Sequence, residues 1–451
     1  MLSQTSPTRS DKSDASDRCQ GADARVLYQS KENPHHSGST PNKILDKFAI
    51  LLHNILMWIE RDIMSCLRRA WEQFPIVVLT GMRQAGKTSL VRRVFPDANY
   101  VSFDIPRDAE HARLDYEDFI ASHSSPLIMD EIQYVPEIFR HLKYVVDRDR
   151  RPGLYVLTGS QDFLLMSGVA ESLAGRCAVL SLSTLSLSEL TSVGGVDTDA
   201  FCWRGGFPEL WQRSELDRDL WYGSYVATYL ERDVRNILNV SSLRDFDRFL
   251  RALALRAGRL LSYSDLARDV GITPNTAKNW ISLLAASRQV FLLEPYHRNA
   301  GKRLVKTPKI YFTDPGLLVY LLGFQEWSAV VQNAAWGAVW ENLVVSEVFK
   351  YFLNQGKRPP CWFWRTQQGD EMDLLIETGP QQFFAVECKT AARVESRDLK
   401  GFQALEKAYG EKSLQKGAVA CRTKRSYPLS EGGRLKALPL NGRSGLLNWL
   451  P

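Results

Sequence analysis

Gly81-Met82-Arg83-Gln84-Ala85-Gly86-Lys87-Thr88 fits G-x-x-x-x-G-K-[ST] at every fixed position, between an apolar run, Ile76-Val77-Val78-Leu79, and a helix-forming stretch, Ser89 to Val94. A strand that ends in a glycine-rich loop and re-enters as a helix aims consecutive backbone N–H groups, and the positive end of that helix, at one point. Phosphate is the ligand for such a point. Gly81 and Gly86 permit the tight turn, and Met82, Arg83, Gln84, Ala85 and Ser89 line the cradle. Lys87 reaches the β/γ oxygens and Thr88 can ligate Mg²⁺. The loop implies binding of ATP or GTP.

Pro126-Leu127-Ile128-Met129-Asp130-Glu131 is a short apolar run ending in two acids, as expected of a buried parallel strand that carries a carboxylate to the metal. Asp130 would hold the metal's water shell, and Glu131 would orient and polarise the water that attacks the γ-phosphate. Leu154-Tyr155-Val156-Leu157-Thr158-Gly159-Ser160 reads as the next buried strand, with Thr158 or Ser160 placed to sense the γ-phosphate. Strand candidates recur at Ile76–Leu79, Tyr100–Phe103, Leu127–Met129, Tyr155–Leu157 and Ala178–Leu182, separated by helical spacers. That alternation predicts an α/β fold, a P-loop NTPase parallel sheet covered on both faces. The helical pattern from Asp217 to Leu238 is expected to form a helical lid.

A chain of 451 residues exceeds one ordinary core, and 44% hydrophobic with 24% charged residues is a globular composition. The net charge of +6 permits contact with nucleic acid without arguing strongly for it. Seven cysteines form no C-x-x-C pair and have no histidine at metal spacing, so a reduced, cytoplasmic setting without a zinc site is expected. The longest apolar run, Phe48 to Ile59, is broken by His53 and Asn54 and is too short to span a bilayer. Residues 1–45, rich in Ser, Asp, Lys, Pro and Gly, are expected to be disordered. A start at Met57 would remove that segment.

The stretch from Leu260 to Pro295 changes character. Ser264–Val270 reads as a short helix, Gly271 as its stop, Thr273-Pro274 as an N-cap and first helical residue, and Asn275–Ala286 as a second helix. The strand Val290–Leu293 and the basic segment His297–Lys309 complete a winged helix-turn-helix, expected over 241–320. Asn275, Thr276, Lys278 and Asn279 face outward on the second helix, toward DNA or toward a protein neighbour.

Near the C-terminus, Asp373-Leu374-Leu375-Ile376 and Phe384-Ala385-Val386-Glu387 read as two strands of a hairpin centred on Pro380. That register sets Asp373 opposite Glu387, and period two puts Lys389 beside Glu387. Two facing carboxylates suit a hard divalent ion, Mg²⁺ or Mn²⁺, with Lys389 steadying developing charge. This D…E-x-K spacing resembles the core of the PD-(D/E)XK nucleases. Glu341, on the amphipathic helix Trp336–Phe349, stands where that fold places a helical acid. The same residues also fit a salt-bridge cluster or a decayed nuclease.

Together GMRQAGKTSL, LIMDEI, YVLTGS, Glu171–Arg176, Gly205-Gly206-Phe207-Pro208, Tyr229–Asp233, Lys309–Gly316 and the Asp373/Glu387/Lys389 set resemble a large bacterial and archaeal group of AAA-superfamily ATPases. These carry a winged helix and a C-terminal domain of unknown function with a restriction-endonuclease-like fold. The resemblance runs from about Ile59 to the end of the chain. It implies ATP binding by Gly86, Lys87 and Thr88, roles for Asp130 and Glu131 with Mg²⁺, and an arginine contribution from Arg176 or Arg232. Met82 stands where such loops often have proline, and Cys388 where valine is usual. The implied organisation is an ATPase with lid over 46–240, the winged helix over 241–320, and a nuclease-like α/β domain over 325–451.

Three functions are compatible with these residues: an ATPase driving the later modules on DNA, a nucleotide-gated nuclease, and a slow ATP switch that recruits a protein. An arginine acting in trans would require a homo-oligomer.

Overall fold

The structure, a computed structural model, describes residues 58–160, 169, 171–230, 243–296, 306–441 and 445–451. The segment 1–45, Arg232 and most of the basic stretch after His297 lie outside the described residues.

All six residues of β1 (Ile76–Gly81) are buried, as a strand with helices on both faces requires. It lies in a five-stranded sheet with β2 (Asn99–Ser102), β3 (Leu127–Asp130), β4 (Tyr155–Gly159) and β5 (Cys177–Leu182), in the order β2-β3-β4-β1-β5. Every neighbouring pair is parallel. Period two divides β1 between two cores. Val77 and Leu79 pack with Leu67 of α1 (Met64–Gln73) and Leu90 of α2 (Lys87–Val94), whereas Ile76 and Val78 pack with Phe139 and Leu142 of α3 (Ile138–Arg148). The five strands read from the sequence are present within two residues at each end.

After β5 the chain enters α4 (Leu187–Gly194) through a capping box, in which Ser186 and Glu189 satisfy each other's backbone N–H groups. Two short helices, Thr198–Arg204 and Pro208–Gln212, lead to α5 (Arg218–Tyr225). Where one helix from Asp217 to Leu238 was expected, α5 gives way at Val226 to a π-helical turn, Val226–Leu230. The rest of that stretch lies outside the described residues.

The next module packs α6 (Leu243–Ala254), α7 (Tyr263–Val270) and α8 (Pro274–Ala286) beside an antiparallel pair, β6 (Val290–Leu293) and β7 (Lys309–Phe312). Gly271, at φ 86°, ends α7 in the left-handed region, and the Thr273 hydroxyl accepts the Thr276 N–H to begin α8. The two helix ends thus follow the grammar of the sequence.

β7 continues through Asp314 into α9 (Pro315–Leu321), and α10 (Trp336–Asn354) leads to a six-stranded mixed sheet. Its members are β8 (Cys361–Arg365), β9 (Glu371–Gly379), β10 (Gln382–Cys388), β11 (Leu414–Ala420), β12 (Tyr427–Pro428) and β13 (Leu435–Leu438), in the order β12-β13-β11-β10-β9-β8. One face meets α10 through Ile376, Phe384 and Val386; the other meets α11 (Lys400–Tyr409) through Leu375, Phe383 and Ala385.

Buried Asp314 ties these parts together. It accepts the Tyr222 hydroxyl at 2.8 Å, the Gly206 N–H at 2.7 Å and the Leu317 N–H at 2.9 Å. Gly205 has to be glycine here, because a Cβ on it would lie 2.1 Å from the Tyr222 hydroxyl. No helix among the described residues is long and apolar enough to cross a membrane.

Candidate functional site

At the exit of β1, Gly81 has φ 144° and a Cβ there would lie 2.1 Å from the Leu182 carbonyl oxygen; Gly86 has φ 92° at the start of α2. Both glycines are therefore structural requirements of the loop. Lys87 is 5% exposed, and its ammonium folds over the loop to donate to the carbonyls of Gly81 (3.1 Å) and Met82 (2.9 Å). Thr88 Oγ1 donates to Asp130 Oδ2 at 2.7 Å. The two residues that would flank a Mg²⁺ ion are already in register, as β3 ends beside the first turn of α2. Residues of the cradle fit the metal and a triphosphate: amides and an ammonium for phosphate, a hydroxyl and a carboxylate for a hard cation.

A cavity of about 460 Å³ opens at this point, bounded by Lys87, Thr88 and Glu131 on one side and by Trp58, Pro208 and Arg213 on the other. The short helix Pro208–Gln212 thus supplies part of its far wall. Glu131 sits at φ 55° directly after β3, and its Oε2 accepts from Ser160 Oγ at 3.1 Å. Thr158 Oγ1 bonds Asp130 Oδ1 and lies 3.3 Å from the Glu131 N–H. The structure therefore brings Lys87, Thr88, Asp130, Glu131, Thr158 and Ser160 together.

Two residues at the cradle escaped the sequence reading. Tyr100 donates its hydroxyl to Asp130 Oδ2 at 2.8 Å; burial, and then the Asp130 carboxylate, push the phenol up to about 12. Arg61, 5% exposed, joins the carbonyls of Ala85 (2.9 Å) and Ser183 (2.7 Å) to the Glu189 carboxylate (3.1 Å), bracing the loop against α4. Neither carries a local signal, because the partner of each is distant in sequence.

Arg176 is elsewhere. It makes a bidentate pair with Asp147, at 2.7 and 2.8 Å, and the Ile76–Cys177 register sets it where β1 begins, not where β1 ends. Six strand residues separate it from its own cradle by about 17–20 Å, so it cannot serve that cradle within one chain.

The C-terminal acids also converge. The β9–β10 ladder pairs Glu377 with Phe383, Ile376 with Phe384, Leu375 with Ala385 and Leu374 with Val386, the register that leads next to Asp373 and Glu387. Asp373 Oδ2 accepts the Cys388 N–H at 2.8 Å, and Lys389 Nζ lies 2.6 Å from Glu387 Oε1. What the sequence did not disclose is the cation among them. Lys309 of β7, 3% exposed, places its ammonium 2.8 Å from Glu341, 2.6 Å from Glu371 and 3.9 Å from Asp373. Tyr311 donates to the same Glu341 oxygen at 2.6 Å.

This alters the expected metal chemistry. Among the described residues no group of three His, Cys, Asp or Glu side chains is arranged to hold a metal ion. The cluster holds an internal ammonium, because β7 delivers Lys309 between Glu341, Glu371 and Asp373. Burial would depress that ammonium, but Glu341, Asp373 and Glu371 hold it well above its ordinary range.

The remaining imbalance is carried by protons. Burial, then Asp373, raises the Glu341 carboxyl to about 7 and the Glu387 carboxyl to about 8. The native state therefore binds protons that the unfolded chain releases at the ordinary carboxyl value of 4.5. Stability from these acids is fully present below that value and is lost as pH rises through about 7 to 8. We expect the loss to be on the order of a few kcal/mol, and Glu387→Gln to flatten it. Urea midpoints measured across this window check the prediction; equal slopes for both proteins would refute it.

Family comparisons divide the chain in the same order as its modules. An AAA domain matches residues 73–191, a domain of unknown function (DUF8612) matches 195–328, and another (DUF4143) matches 336–441. The second match includes α5 along with α6 to β7. Over 373 residues the chain is 34% identical to uncharacterized protein Rv2008c of Mycobacterium tuberculosis and, equally, to uncharacterized protein Mb2031c of Mycobacterium bovis, covering 82% of this chain and 82% of each relative. Among solved structures, the Walker-type ATPase paby2304 of Pyrococcus abyssi is 17% identical, covering 58% of this chain and 96% of its own, with a TM-score of 0.39. The chain belongs to one family with Rv2008c and Mb2031c, and its first module makes it an AAA-type P-loop ATPase.

Proposed function

We propose that this protein is a Mg²⁺-dependent ATPase that couples its nucleotide cycle to a winged helix, residues 241–320, and to a restriction-endonuclease-like module, residues 325–451, with DNA as its partner. The observation that carries the reading is the 2.7 Å contact between Thr88 and Asp130 beside Lys87, with Glu131 on the wall of the same cavity. When bound, Mg²⁺ would supply Lewis-acid neutralisation of phosphate charge. The amides of the loop and the Lys87 ammonium bind the β/γ oxygens. Glu131 takes the proton of the attacking water, with Thr158 and Ser160 fixing the orientation of the two acids. An arginine from a second subunit, Arg176 or Arg232, would complete the charge stabilisation in a homo-oligomer.

The DNA assignment is supported by the outer side of α8, where Asn275, Lys278 and Asn279 are exposed. For the C-terminal module, the Lys309 ammonium among the acids favours a closed ion network over a cutting site.

The test is ATP turnover with and without duplex DNA, with the DNA then run on a gel. We expect DNA to stimulate turnover and to remain intact. Glu131→Gln should still bind ATP but turn over about 10²–10⁴-fold more slowly, the usual contribution of a general base. Wild-type turnover in that variant would remove the assignment.

A further inference from the structure

The residue after next from Glu131 is buried in an unusual way. Gln133 is 7% exposed, in the short 3₁₀ turn Ile132–Tyr134. Its side chain folds back over the turn, so that Nε2 donates to Glu131 Oε2 and lies 3.4 Å from Ser160 Oγ. The amide orientation is fixed by its neighbours. Ser160 donates its proton to Glu131 Oε2 at 3.1 Å, which leaves the hydroxyl oxygen as an acceptor. Two acceptors thus face one side of Gln133, and only its NH₂ end can meet both.

The other end has no such match. Among the described residues Gln133 Oε1 is buried without a hydrogen-bond partner. A buried acceptor left unpaired costs stability, so an apolar side chain of the same shape would serve the fold as well or better. Glu131 adds a second unfavourable feature, a left-handed backbone at φ 55° on a residue with a Cβ. That turn is what carries the side chain of position 133 back onto position 131. Unfavourable features concentrated at one carboxylate mark a place where the fold holds a group in a set orientation.

We infer that Gln133 is a positioning residue for ATP hydrolysis, an amide clamp that, with Ser160, fixes one oxygen of Glu131 and turns the other toward the attacking water. The inference rests on the reading of Glu131 as the base. Both bonds fall on Oε2, so the carboxylate cannot rotate about its last bond without breaking them. Its Oε1 is thereby directed away from the clamp. The Lys87 ammonium bonds the Gly81 and Met82 carbonyls and Thr88 bonds Asp130, whereas the Gln133 amide bonds Glu131, so nucleotide affinity should not depend on it.

Gln133→Met keeps length and volume and removes both the clamp and the unpaired acceptor. We expect kcat to fall about 10- to 100-fold, the usual cost of a misplaced catalytic group, with KM for ATP within about two-fold and the thermal midpoint unchanged or higher. Gln133→Leu, the second variant, should show the same separation of kcat from KM and from stability. Wild-type kcat in Gln133→Met alongside an inactive Glu131→Gln overturns the clamp and leaves the base assignment standing. A loss of kcat matched by a lower thermal midpoint and a raised KM overturns it as well, since that pattern belongs to packing alone. Full turnover in Glu131→Gln removes the base, and the clamp with it.

Discussion

Lys87→Ala loses Mg·ATP binding and, with it, turnover, while the protein stays folded. The Lys87 ammonium is the only side-chain cation of the loop motif that lies 5% exposed against it, donating to the Gly81 and Met82 carbonyls. A phosphate meeting it would gain a charge-assisted bond in a poorly solvated site. Removing one partner from such a pair costs about 2–5 kcal/mol, and each 1.4 kcal/mol is about ten-fold in affinity, so dissociation constants should rise about 30-fold or more. Stability should change far less. The bonds lost run from an ammonium to two carbonyls, at about 1.5–3 kcal/mol each, but the desolvation cost of a buried charge is removed with them and offsets much of that loss. Calorimetric titration with Mg·ATP, paired with a urea melt of the apo protein, separates the two effects. Undiminished ATP affinity in a folded Lys87→Ala protein would overturn the whole nucleotide assignment.

Lys309→Met acts in the opposite sense, on the fold before any activity. Methionine keeps the length of the side chain but strands Glu341, Glu371 and Asp373 around a missing charge, with Lys309 now 3% exposed at 2.6 to 3.9 Å from all three. Breaking a buried ion network by removing one partner costs about 3–5 kcal/mol. The acids can relieve that cost by taking protons, and Glu341 already titrates near 7. The destabilisation should therefore be largest above that value and shrink as pH falls toward 5. Urea unfolding of wild type and variant at both ends of this range provides the measurement. A wild-type midpoint at the high end would mean that the ammonium does not neutralise the cluster. Recovery of the variant on adding Mn²⁺ would instead mark the acids as a cation site that the lysine fills.

The contrast between these two lysines shows which parts of the site were legible. Lys87 announces itself, because its partners lie five and six residues away on the same loop. The β9–β10 register was legible for the same reason, as a hairpin folds on local sequence and period two then sets which residues face. Lys309 gave no such signal. It was read as the end of a basic segment, yet its partner Glu341 is 32 residues away and on another element. Tyr100 meets Asp130 over 30 residues and Arg61 meets Glu189 over 128, so each looked like an ordinary member of its strand or helix. The helical pattern from Asp217 was half legible: α5 forms where it began, but the chain then passes into the π-helical turn at Val226.

By itself the sequence determined the phosphate cradle, the five parallel strands, the helix end at Gly271 and the cap at Thr273, and the pairing of β9 with β10. All of these follow from backbone geometry and side-chain periodicity over a few consecutive residues. Only the tertiary structure decided that Lys309 stands among the C-terminal acids, that Arg176 is remote from its own cradle, and that Gln133 grips Glu131. Those outcomes depend on which distant elements pack together, and burial makes a charge or amide seek whatever partner that packing brings within reach.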